Sequence, residues 1–447
     1  MILALSLFFL YILILVGIGF FTSKKQTEEG FMLSDRKVGG VFLPTTLAAG
    51  FFDGAILATY IAFIYQFGFS AIWLFSGLIV GFLLLQLLVH KIKSKADEMH
   101  TYTMPEYFFR LFGKSSGLLF SIMIIVQFIG ILIVNLIISG KVLTAFFPIS
   151  YTLAVIIGGV IVLSYLTLSG FKAVIRTDFF QVILMFLMVI TVGGYLIFRN
   201  PRALSSVNIG SINPTDLIAF IVLGVFVIFT APDLWQRIFA ARDVASLKNS
   251  LKSASVILIF LAFVISIVGI VTRQYFPGIK PEEALVVGFS NLLPFFLKEF
   301  GLVLLYAVSL SSTDTVTFVI SSILTRDLKN YSPSFMKTSM RFMTRIFVGI
   351  LLILAVITAI LYQNIISIML SLASLSVGLF PIVFGSLFWK LNKMAVFFSL
   401  LLAFVSVILL LGFGYINPLT SLISLPVSLI TLILLSVIFK YKLIRIS

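Results

Sequence analysis

The chain has 447 residues, of which 61% are hydrophobic and only 11% carry a charge, and its mean hydropathy is +1.21. Soluble domains are about half apolar and about a quarter charged, so this composition excludes a soluble globular protein and predicts a membrane protein. The net charge of +15 does not indicate nucleic-acid binding, because the basic residues recur in every second loop. No cysteine is present, which excludes disulfides and thiolate metal sites.

Apolar runs long enough to cross a bilayer recur along the whole chain, with no room between them for a large soluble domain. This pattern predicts an all-α polytopic membrane protein rather than a barrel. The first run has no basic residues before it, which indicates a retained span rather than a cleaved signal peptide. The ninth run is long, and we expect a short external helix within it. The thirteen predicted spans are 2–22, 41–64, 69–94, 115–146, 151–168, 177–198, 215–239, 251–273, 286–325, 341–361, 364–389, 392–412 and 416–439.

The loops on one side of these spans hold 25 of the 31 lysine and arginine residues. Because loops facing the cytoplasm are enriched in basic residues, we predict that this side is cytoplasmic. An odd number of spans then places the N-terminus outside and the C-terminus inside a plasma (inner) membrane. The cytoplasmic set includes Lys24, Lys25, Lys172, Arg176, Arg237, Arg242 and Arg445, and the external set includes Arg202.

Asp53 lies in the middle of the second predicted span, flanked by Gly50 and Gly54. A charged side chain at the centre of a bilayer costs roughly 2.5–3.5 kcal/mol on insertion scales, so a carboxylate there requires a reason. Glycine allows a helix to unwind locally, and unwound carbonyl groups inside a protein can coordinate a cation. The alternative is that Asp53 only bonds to a neighbouring helix. We favour a place on an ion pathway, because intramembrane carboxylates are usually functional.

Asp178 and Gln181 stand at positions i and i+3 of the sixth predicted span, so they share one helix face. They lie about one turn inside the predicted cytoplasmic interface. One interpretation is that Asp178 belongs to an ion pathway. The other is that Thr177 or Asp178 caps the N-terminus of the helix, and the two roles can coexist.

The stretch 309–317 places seven polar side chains in nine positions of an otherwise apolar segment. Ser311, Ser312 and Thr315 share a face, and hydroxyl oxygens with backbone carbonyls suit a partly dehydrated monovalent cation. The alternative for any one hydroxyl is a bond to its own i−4 carbonyl or to another helix. The density of hydroxyls favours an ion site. Asp314 stays open between an ion-pathway role and a structural bond to a neighbouring helix.

Four separated stretches resemble motifs of the sodium:solute symporter family, the group of proline permease and the sodium/galactose symporters. A fifth stretch, LFPIVFGSLFWKLNKM, adds a weaker match. Together they cover most of residues 30–400 in the order of the family. The four stretches are FMLSDRKVGGVFLPTTLAAGFFDG, SGFKAVIRTDFFQ, APDLWQRIFAARDVASLKNS and SLSSTDTVTFVISSILTRDL.

The resemblance implies an inverted five-helix repeat of the leucine-transporter type. Residues 1–30 would form an extra N-terminal helix, and residues 31–200 the first repeat. Residues 201–390 would form the second repeat, and residues 391–447 two C-terminal helices. This arrangement has thirteen spans, as many as the apolar runs predict.

The resemblance also implies a sodium site between the first and eighth core helices. By position, its carbonyl ligands would come from Phe51, Gly54 and Val308, and its hydroxyl ligands would be Ser311 and Ser312. Relatives often have smaller or more polar side chains where this chain has Phe51 and Val308. Carbonyl ligation survives such a change, so the implied site stands.

Two aspartates match family positions that act on sodium. Asp53 matches an aspartate that is important for sodium in proline permease. Asp178 matches an aspartate on the sodium exit route, which helps to form a further sodium site in some members. The implied ligand of the protein is therefore Na⁺, with no organic cofactor.

The solute is expected near the middle of the membrane, where the core helices face each other. No intramembrane lysine or arginine offers itself to an anionic solute, which favours a zwitterionic or neutral one, although an anion could use a helix N-terminus. The alternative for each aromatic residue is ordinary packing or lipid contact, since the chain has 48 phenylalanines. The candidate solute-binding residues are Phe52, Gln127, Asn135, Phe226, Phe229, Ser371 and Ser374.

The sequence thus predicts a secondary active symporter that couples inward sodium flow to the uptake of a small organic solute, and that acts as a monomer in the lipid bilayer. A proton-coupled carrier on the same fold, with Asp53 or Asp178 as the proton carrier, is the nearest alternative. A channel or a sensor is a further alternative. The sensor is disfavoured because no signalling domain follows the last span. An enzyme is not expected, because the chain lacks the GxxxxGK[ST] and HExxH motifs.

Overall fold

The computed structural model describes residues 2–22, 26–201, 213–335, 337–415 and 417–444. Lys24, Lys25, Arg202 and Arg445, which the loop assignment used, lie outside these residues. The described chain is helical, with one isolated bridge between Val38 and Ala241. The helices are α1 (Ile2–Thr22), α2 (Glu28–Leu33), α3 (Phe42–Ala49), α4 (Gly54–Phe67), α5 (Trp73–Glu98), α6 (Met104–Phe112), α7 (Lys114–Phe146), α8 (Tyr151–Met188), α9 (Gly194–Arg199), α10 (Pro214–Thr230), α11 (Pro232–Ala240), α12 (Val244–Tyr275), α13 (Ala284–Asn291), α14 (Phe295–Tyr331), α15 (Met340–Leu361), α16 (Ile365–Ser386), α17 (Lys393–Gly412) and α18 (Ser424–Ile444).

In the described ranges, ten helical stretches are long and apolar enough to cross a membrane, and eleven if the bent pair α10–α11 is counted as one span. The predicted number of thirteen is not reached on this criterion. One reason is that Gly54–Glu98 forms a single stretch where the sequence predicts parts of two spans. The other is that Tyr151–Thr167 is shorter than the remaining apolar helices.

Two spans are broken at their centres. The first break separates α3 from α4 at residues 50–53, where Asp53 has an extended backbone and caps α4. The second break separates α10 from α11 by an angle of 46°. It follows from Pro232, because proline cannot continue a helix and holds the preceding Ala231 in the extended conformation.

A third break lies inside α8, at Gly170, which has a φ of +63°. A Cβ atom at Gly170 would lie 2.4 Å from the Phe31 ring and 2.7 Å from the Phe31 carbonyl oxygen. Both the backbone conformation and the close approach therefore require glycine. The helix resumes at once, so Thr177 and Asp178 lie inside it. The interpretation of these two residues as N-terminal caps is therefore wrong.

The central helix is α14, and it carries the polar stretch 309–317. The most apolar part of α14 is completely buried, and the helix packs against α7, α8 and α15. The seven polar side chains of the stretch consequently face protein rather than lipid. This position requires each of them to find a hydrogen-bond partner, an ion or a cavity.

Loop regions that the sequence assigns to one side of the membrane do meet in the structure. Arg36 donates to Asp97 Oδ1 at 3.1 Å, and the Arg326 guanidinium donates to Glu106 Oε2 at 3.0 Å. Lys93 Nζ lies 3.0 Å from the carbonyl oxygen of Phe239. These contacts join segments far apart in sequence, so the grouping of these loops on one face is confirmed, while the direction of that face stays a prediction.

Candidate functional site

A cavity of about 70 Å³ lies where the two broken spans meet. This volume has room for several water-sized groups. Discontinuous helices inside a membrane protein expose backbone groups and helix ends to such a space, which makes it the natural place for an ion and a polar solute. The polar side chains that line the cavity are Asp53, Gln127, Asp233, Ser311, Ser312 and Thr315.

The two breaks are in direct contact. A Cβ atom at Gly50, in the first break, would lie 2.8 Å from Asp233 Oδ2 and 3.5 Å from the Arg237 guanidinium, both in α11. Only glycine permits this approach between the unwound backbone and the side chains of α11. The cavity is therefore built by elements that are far apart in sequence.

Asp53 fixes the start of α4 at the cavity. Its Oδ1 accepts a hydrogen bond of 2.6 Å from the amide of Ile56. The amide of Ala55 donates to Asn135 Oδ1 at 3.0 Å, and the Asn135 side chain also donates to the carbonyl oxygen of Ile131. The predicted unwinding around Asp53 is confirmed. Asn135, a candidate for solute binding, is instead occupied in tying the start of α4 to α7.

The seven polar side chains of α14 differ in the groups that they contact. Ser309, Thr313 and Thr317 each donate to the carbonyl oxygen four residues earlier, which satisfies them within the helix. Asp314 accepts a bond of 2.9 Å from the Tyr165 hydroxyl of α8, which matches the structural alternative for this residue. The side chains on the cavity are Ser311, Ser312 and Thr315, the set that the sequence places on one helix face.

A buried polar network lies beside the cavity and connects four helices. Asp178 Oδ2 accepts from Thr46 Oγ1, and at 3.1 Å from Arg237 Nη2. Arg237 Nη1 donates to Asp233 Oδ2 at 2.9 Å. Ser311 Oγ donates to Asp178 Oδ1 at 3.3 Å, so the network reaches the cavity wall through α14. It holds α3, α8, α11 and α14 together in one buried cluster.

The sequence profile described as "Sodium:solute symporter family" matches residues 31–402. The chain belongs to the sodium:solute symporter family. The expected family and the expected class of sodium-coupled solute symport are thereby confirmed, and the family indicates a transporter rather than an enzyme.

Two transporters are similar to this chain in sequence, and one symporter of known structure is similar to it in fold. An osmoregulated proline transporter of Bacillus subtilis is 26% identical over 415 residues, which are 85% of this chain and 83% of that protein. A sodium/proline symporter of Staphylococcus aureus is 28% identical over 228 residues, 48% of this chain and 44% of that one. A Na⁺-coupled sialic acid symporter of known structure superposes with a TM-score of 0.80 at 17% identity, over 96% of both chains.

The family resemblance implies five sodium-site residues, and the structure brings three of them to the cavity. Phe51, Ser311 and Ser312 line it. Gly54 lies against α14, since a Cβ atom there would be 2.8 Å from Ser309 Cα. Val308 precedes Ser309 and is buried. Gly54 and Val308 thus flank the α4–α14 contact without lining the cavity.

Among the predicted solute-binding residues, Gln127 lines the cavity. Its Nε2 donates to Ser376 Oγ at 2.6 Å, whereas its Oε1 is buried and has no partner among the described residues. An unpaired buried acceptor at a cavity is poised to receive a hydrogen bond from a ligand. Gln127 is therefore the strongest of the predicted solute contacts.

The other predicted solute-binding residues do not line the cavity. Phe226 stacks on Phe380 with the ring centroids 3.8 Å apart, and Phe229 packs edge-on to the same ring. Ser374 lies at the contact with α18, where the Ser424 hydroxyl donates to the Ser374 carbonyl oxygen. Phe52 and Ser371 are buried and are not among the residues that line the cavity. These residues support the helix packing behind the site.

The loop assignment of Arg237 is wrong. Its side chain is only 1% exposed and is enclosed by Asp178 and Asp233. Two carboxylates offset the cost of burying one guanidinium, which is why a basic residue persists there. The spacing of Asp233 and Arg237 at i and i+4 is the sequence signal that could have revealed the ion pair. Among the described residues, no cluster of three His, Cys, Asp or Glu side chains forms a metal site.

Proposed function

We propose that this sodium:solute symporter couples inward sodium flow to the uptake of a small zwitterionic or neutral organic solute, amino acid-like in size. The observation that carries the proposal is the meeting of two broken helices at one cavity, with a row of α14 hydroxyls on one wall and Asp53 on another. Broken helices supply carbonyl oxygens for a cation and helix N-termini for a carboxylate.

Sodium would bind at the hydroxyls of Ser311 and Ser312, with backbone carbonyl groups of Phe51, Gly54 and Val308 as the remaining candidate ligands. Neutral oxygen ligands suit sodium and release it readily. Asp178 would relay the ion inward, because its Oδ1 already accepts a bond from Ser311.

The solute would occupy the rest of the cavity, with Gln127 as its polar contact. Arg237 lies beside this space but is engaged by two carboxylates, so it offers little to an anionic solute. The relatives named above include proline transporters, which makes an amino acid the first solute to test.

For the membrane topology, we propose thirteen spans, with the N-terminus outside and the C-terminus in the cytoplasm. Residues 31–200 and 201–390 would form two inverted five-helix repeats. The two broken spans support this division, since 42–67 and 214–240 hold corresponding early positions in the two halves. Residues 1–30 and 391–447 would add one helix before the repeats and two after them.

The test is the melting temperature of the purified protein in sodium and in potassium, at matched ionic strength and fixed pH. Each condition is repeated with proline, other amino acids, sugars, monocarboxylates and vitamins. A ligand that binds only the folded state raises stability in proportion to ln(1 + [L]/Kd). We expect a rise specific to sodium that one solute class enlarges. A rise that depends on pH and not on sodium would contradict the proposal and favour proton coupling.

A further inference from the structure

A second cavity, of about 210 Å³, lies on the face formed by the basic loops and is separate from the site described above. Its walls come from three segments: the loop before α3, the part of α8 after the Gly170 break, and the loop between α11 and α12. Four of its lining side chains are basic: Lys37, Lys172, Arg176 and Arg242.

The charge in this basic pocket is not balanced. Among the described residues, no acidic side chain lines it. Arg242 donates to Asp243 at 2.8 Å, whereas Lys37, Lys172 and Arg176 form no ion pair within the described part of the chain. A hydrogen bond from the Ser246 amide, together with the Arg242 guanidinium, lowers the pKa of Asp243 and keeps it ionised. At least three positive charges in the pocket are therefore left without a counter-charge.

Basic residues on a cytoplasmic face serve membrane orientation, and that role alone requires no particular arrangement. Here four of them, from segments as far apart in sequence as Lys37 and Arg242, converge on one concave pocket. Like charges in close proximity destabilise the fold unless an anion offsets them. Arginine and lysine together are the side chains that recognise phosphate.

The pocket is held open by backbone contacts. The amide of Val38 donates to the Ala240 carbonyl oxygen at 3.0 Å, and the amide of Arg242 donates to the Val38 carbonyl oxygen at 2.8 Å. The rings of Phe42 and Phe179 pack with their centroids 5.2 Å apart and fix the loop before α3 against α8. A preformed site loses little binding free energy, because its side chains and loops are already ordered before the ligand binds.

We propose that this basic pocket binds the phosphate group of an anionic ligand, either the headgroup of an anionic phospholipid or a free phosphate ion. The pocket is smaller than the roughly 300–1,000 Å³ of sites for drug-sized ligands, which suits a headgroup-sized anion. The bound phosphate joins the loop before α3 to α8 and to the α11–α12 loop. The buried network of Asp178 and Arg237 connects the same helices from inside, so occupancy of the pocket stabilises the arrangement seen here.

The test measures the melting temperature of the full chain in neutral detergent. One series adds phosphatidylglycerol or phosphatidylcholine at equal mole fraction, and the other adds inorganic phosphate or chloride at equal ionic strength. The variants are Lys172→Gln/Arg176→Gln and Lys37→Gln. The matched control is Lys390→Gln/Lys393→Gln, which removes two exposed basic side chains of the same face outside the pocket.

In the wild type and in the control variant, we expect a larger rise with phosphatidylglycerol than with phosphatidylcholine, or with inorganic phosphate than with chloride. A nearby basic side chain contributes about 1 kcal/mol of attraction to an anionic lipid surface, so each removed charge should weaken apparent affinity roughly fivefold. A rise with phosphatidylglycerol alone identifies a lipid, and a rise with inorganic phosphate as well identifies the ion. No rise with either, or an unchanged rise in the pocket variants, would overturn the proposal. If the double variant does not fold, Lys37→Gln decides alone, because its side chain is exposed.

Discussion

Arg237 Nη2 lies 3.1 Å from Asp178 Oδ2, and both side chains are 1% exposed. The two residues come from α11 and α8, and the pair is the centre of the network that borders the α14 wall of the cavity. Removing one partner of a buried ion pair leaves a charge without compensation, which typically costs about 3–5 kcal/mol. We therefore expect Arg237→Gln to lower the melting temperature strongly and to reduce the yield of folded protein.

The control for this prediction is Arg242→Gln. Arg242 pairs with Asp243 at the surface, where the two side chains are 65% and 42% exposed. Exposed pairs contribute little stability, so without added phosphate or anionic lipid this variant should melt close to the wild type. Equal melting temperatures for Arg237→Gln and the wild type would show that the buried ion pair does not stabilise the folded protein.

Sodium activation should depend on the hydroxyls that face the cavity. We expect Ser312→Ala and Ser311→Ala each to raise the sodium concentration for half-maximal uptake by at least about tenfold, because a bond to a charged group contributes about 1.5–3 kcal/mol. Ser311→Ala also removes the bond to Asp178. Sodium titration of solute uptake, normalised to the amount of protein in the membrane, measures this effect.

A variant of the same helix serves as the control for sodium. Thr317→Val removes a hydroxyl that donates to the carbonyl oxygen of Thr313 and does not line the cavity. It should leave the sodium dependence unchanged. If the serine variants and Thr317→Val behave alike, sodium does not bind at Ser311 and Ser312.

The sequence was sufficient for features that depend on local chemistry. Gly50 and Gly54, which flank Asp53 in one span, predict local unwinding, because glycine permits it. The three hydroxyls of α14 that face the cavity are also predictable, because helical geometry puts Ser311, Ser312 and Thr315 on one face. Both features are present in the structure.

Features that depend on distant partners could not be predicted in this way. The sequence analysis assigns Arg237 to a loop. One of its partners, Asp178, lies in a different span, and the sequence does not show which spans are in contact. Ser374 and Ser312 are equally polar in sequence, yet Ser374 contacts Ser424 and Ser312 faces the cavity. The direction of such a side chain is decided by the neighbouring helix.

Close packing at the start of α4 should tolerate no side chain at position 54. A Cβ atom on Gly54 would lie 2.6 Å from Ser309 Oγ and 2.8 Å from the Asn135 side chain. Overpacking of this kind costs about 1–3 kcal/mol, and here it also displaces the backbone beside the proposed sodium site. We expect Gly54→Ala to lower the melting temperature and to weaken the sodium-specific stabilisation.

Gly349→Ala is the matched control for Gly54→Ala. Gly349 lies within α15, and a Cβ atom there would have no neighbouring atom within 4 Å in the described part of the chain, so an added methyl group meets open space. Because alanine favours a helix, Gly349→Ala should be neutral or slightly stabilising. Tolerance of alanine at both positions would contradict the close contact between α4 and α14.

Solute binding should depend on Gln127 and not on Ser374. Gln127→Leu removes the unpaired Oε1 from the cavity, so we expect a higher solute concentration for half-maximal uptake with an unchanged sodium-induced rise in melting temperature. Ser374→Ala, at the contact with α18, should alter neither quantity. A solute affinity that falls only in Ser374→Ala would place the solute away from this cavity.

The bond between Asp314 and Tyr165 favours the structural role of Asp314 over a place on the ion pathway. Its Oδ2 accepts from the Tyr165 hydroxyl at 2.9 Å, and in the described part of the chain it pairs with no basic side chain. An asparagine keeps an oxygen acceptor for Tyr165, whereas a leucine removes the acceptor at position 314, at a cost of about 1–3 kcal/mol. We therefore expect Asp314→Asn to fold and to keep its sodium dependence, and Asp314→Leu to melt at a lower temperature. Sodium titration of uptake in the folded Asp314→Asn variant is the deciding measurement, because a lost sodium response there would place the carboxylate on the ion pathway rather than in helix packing.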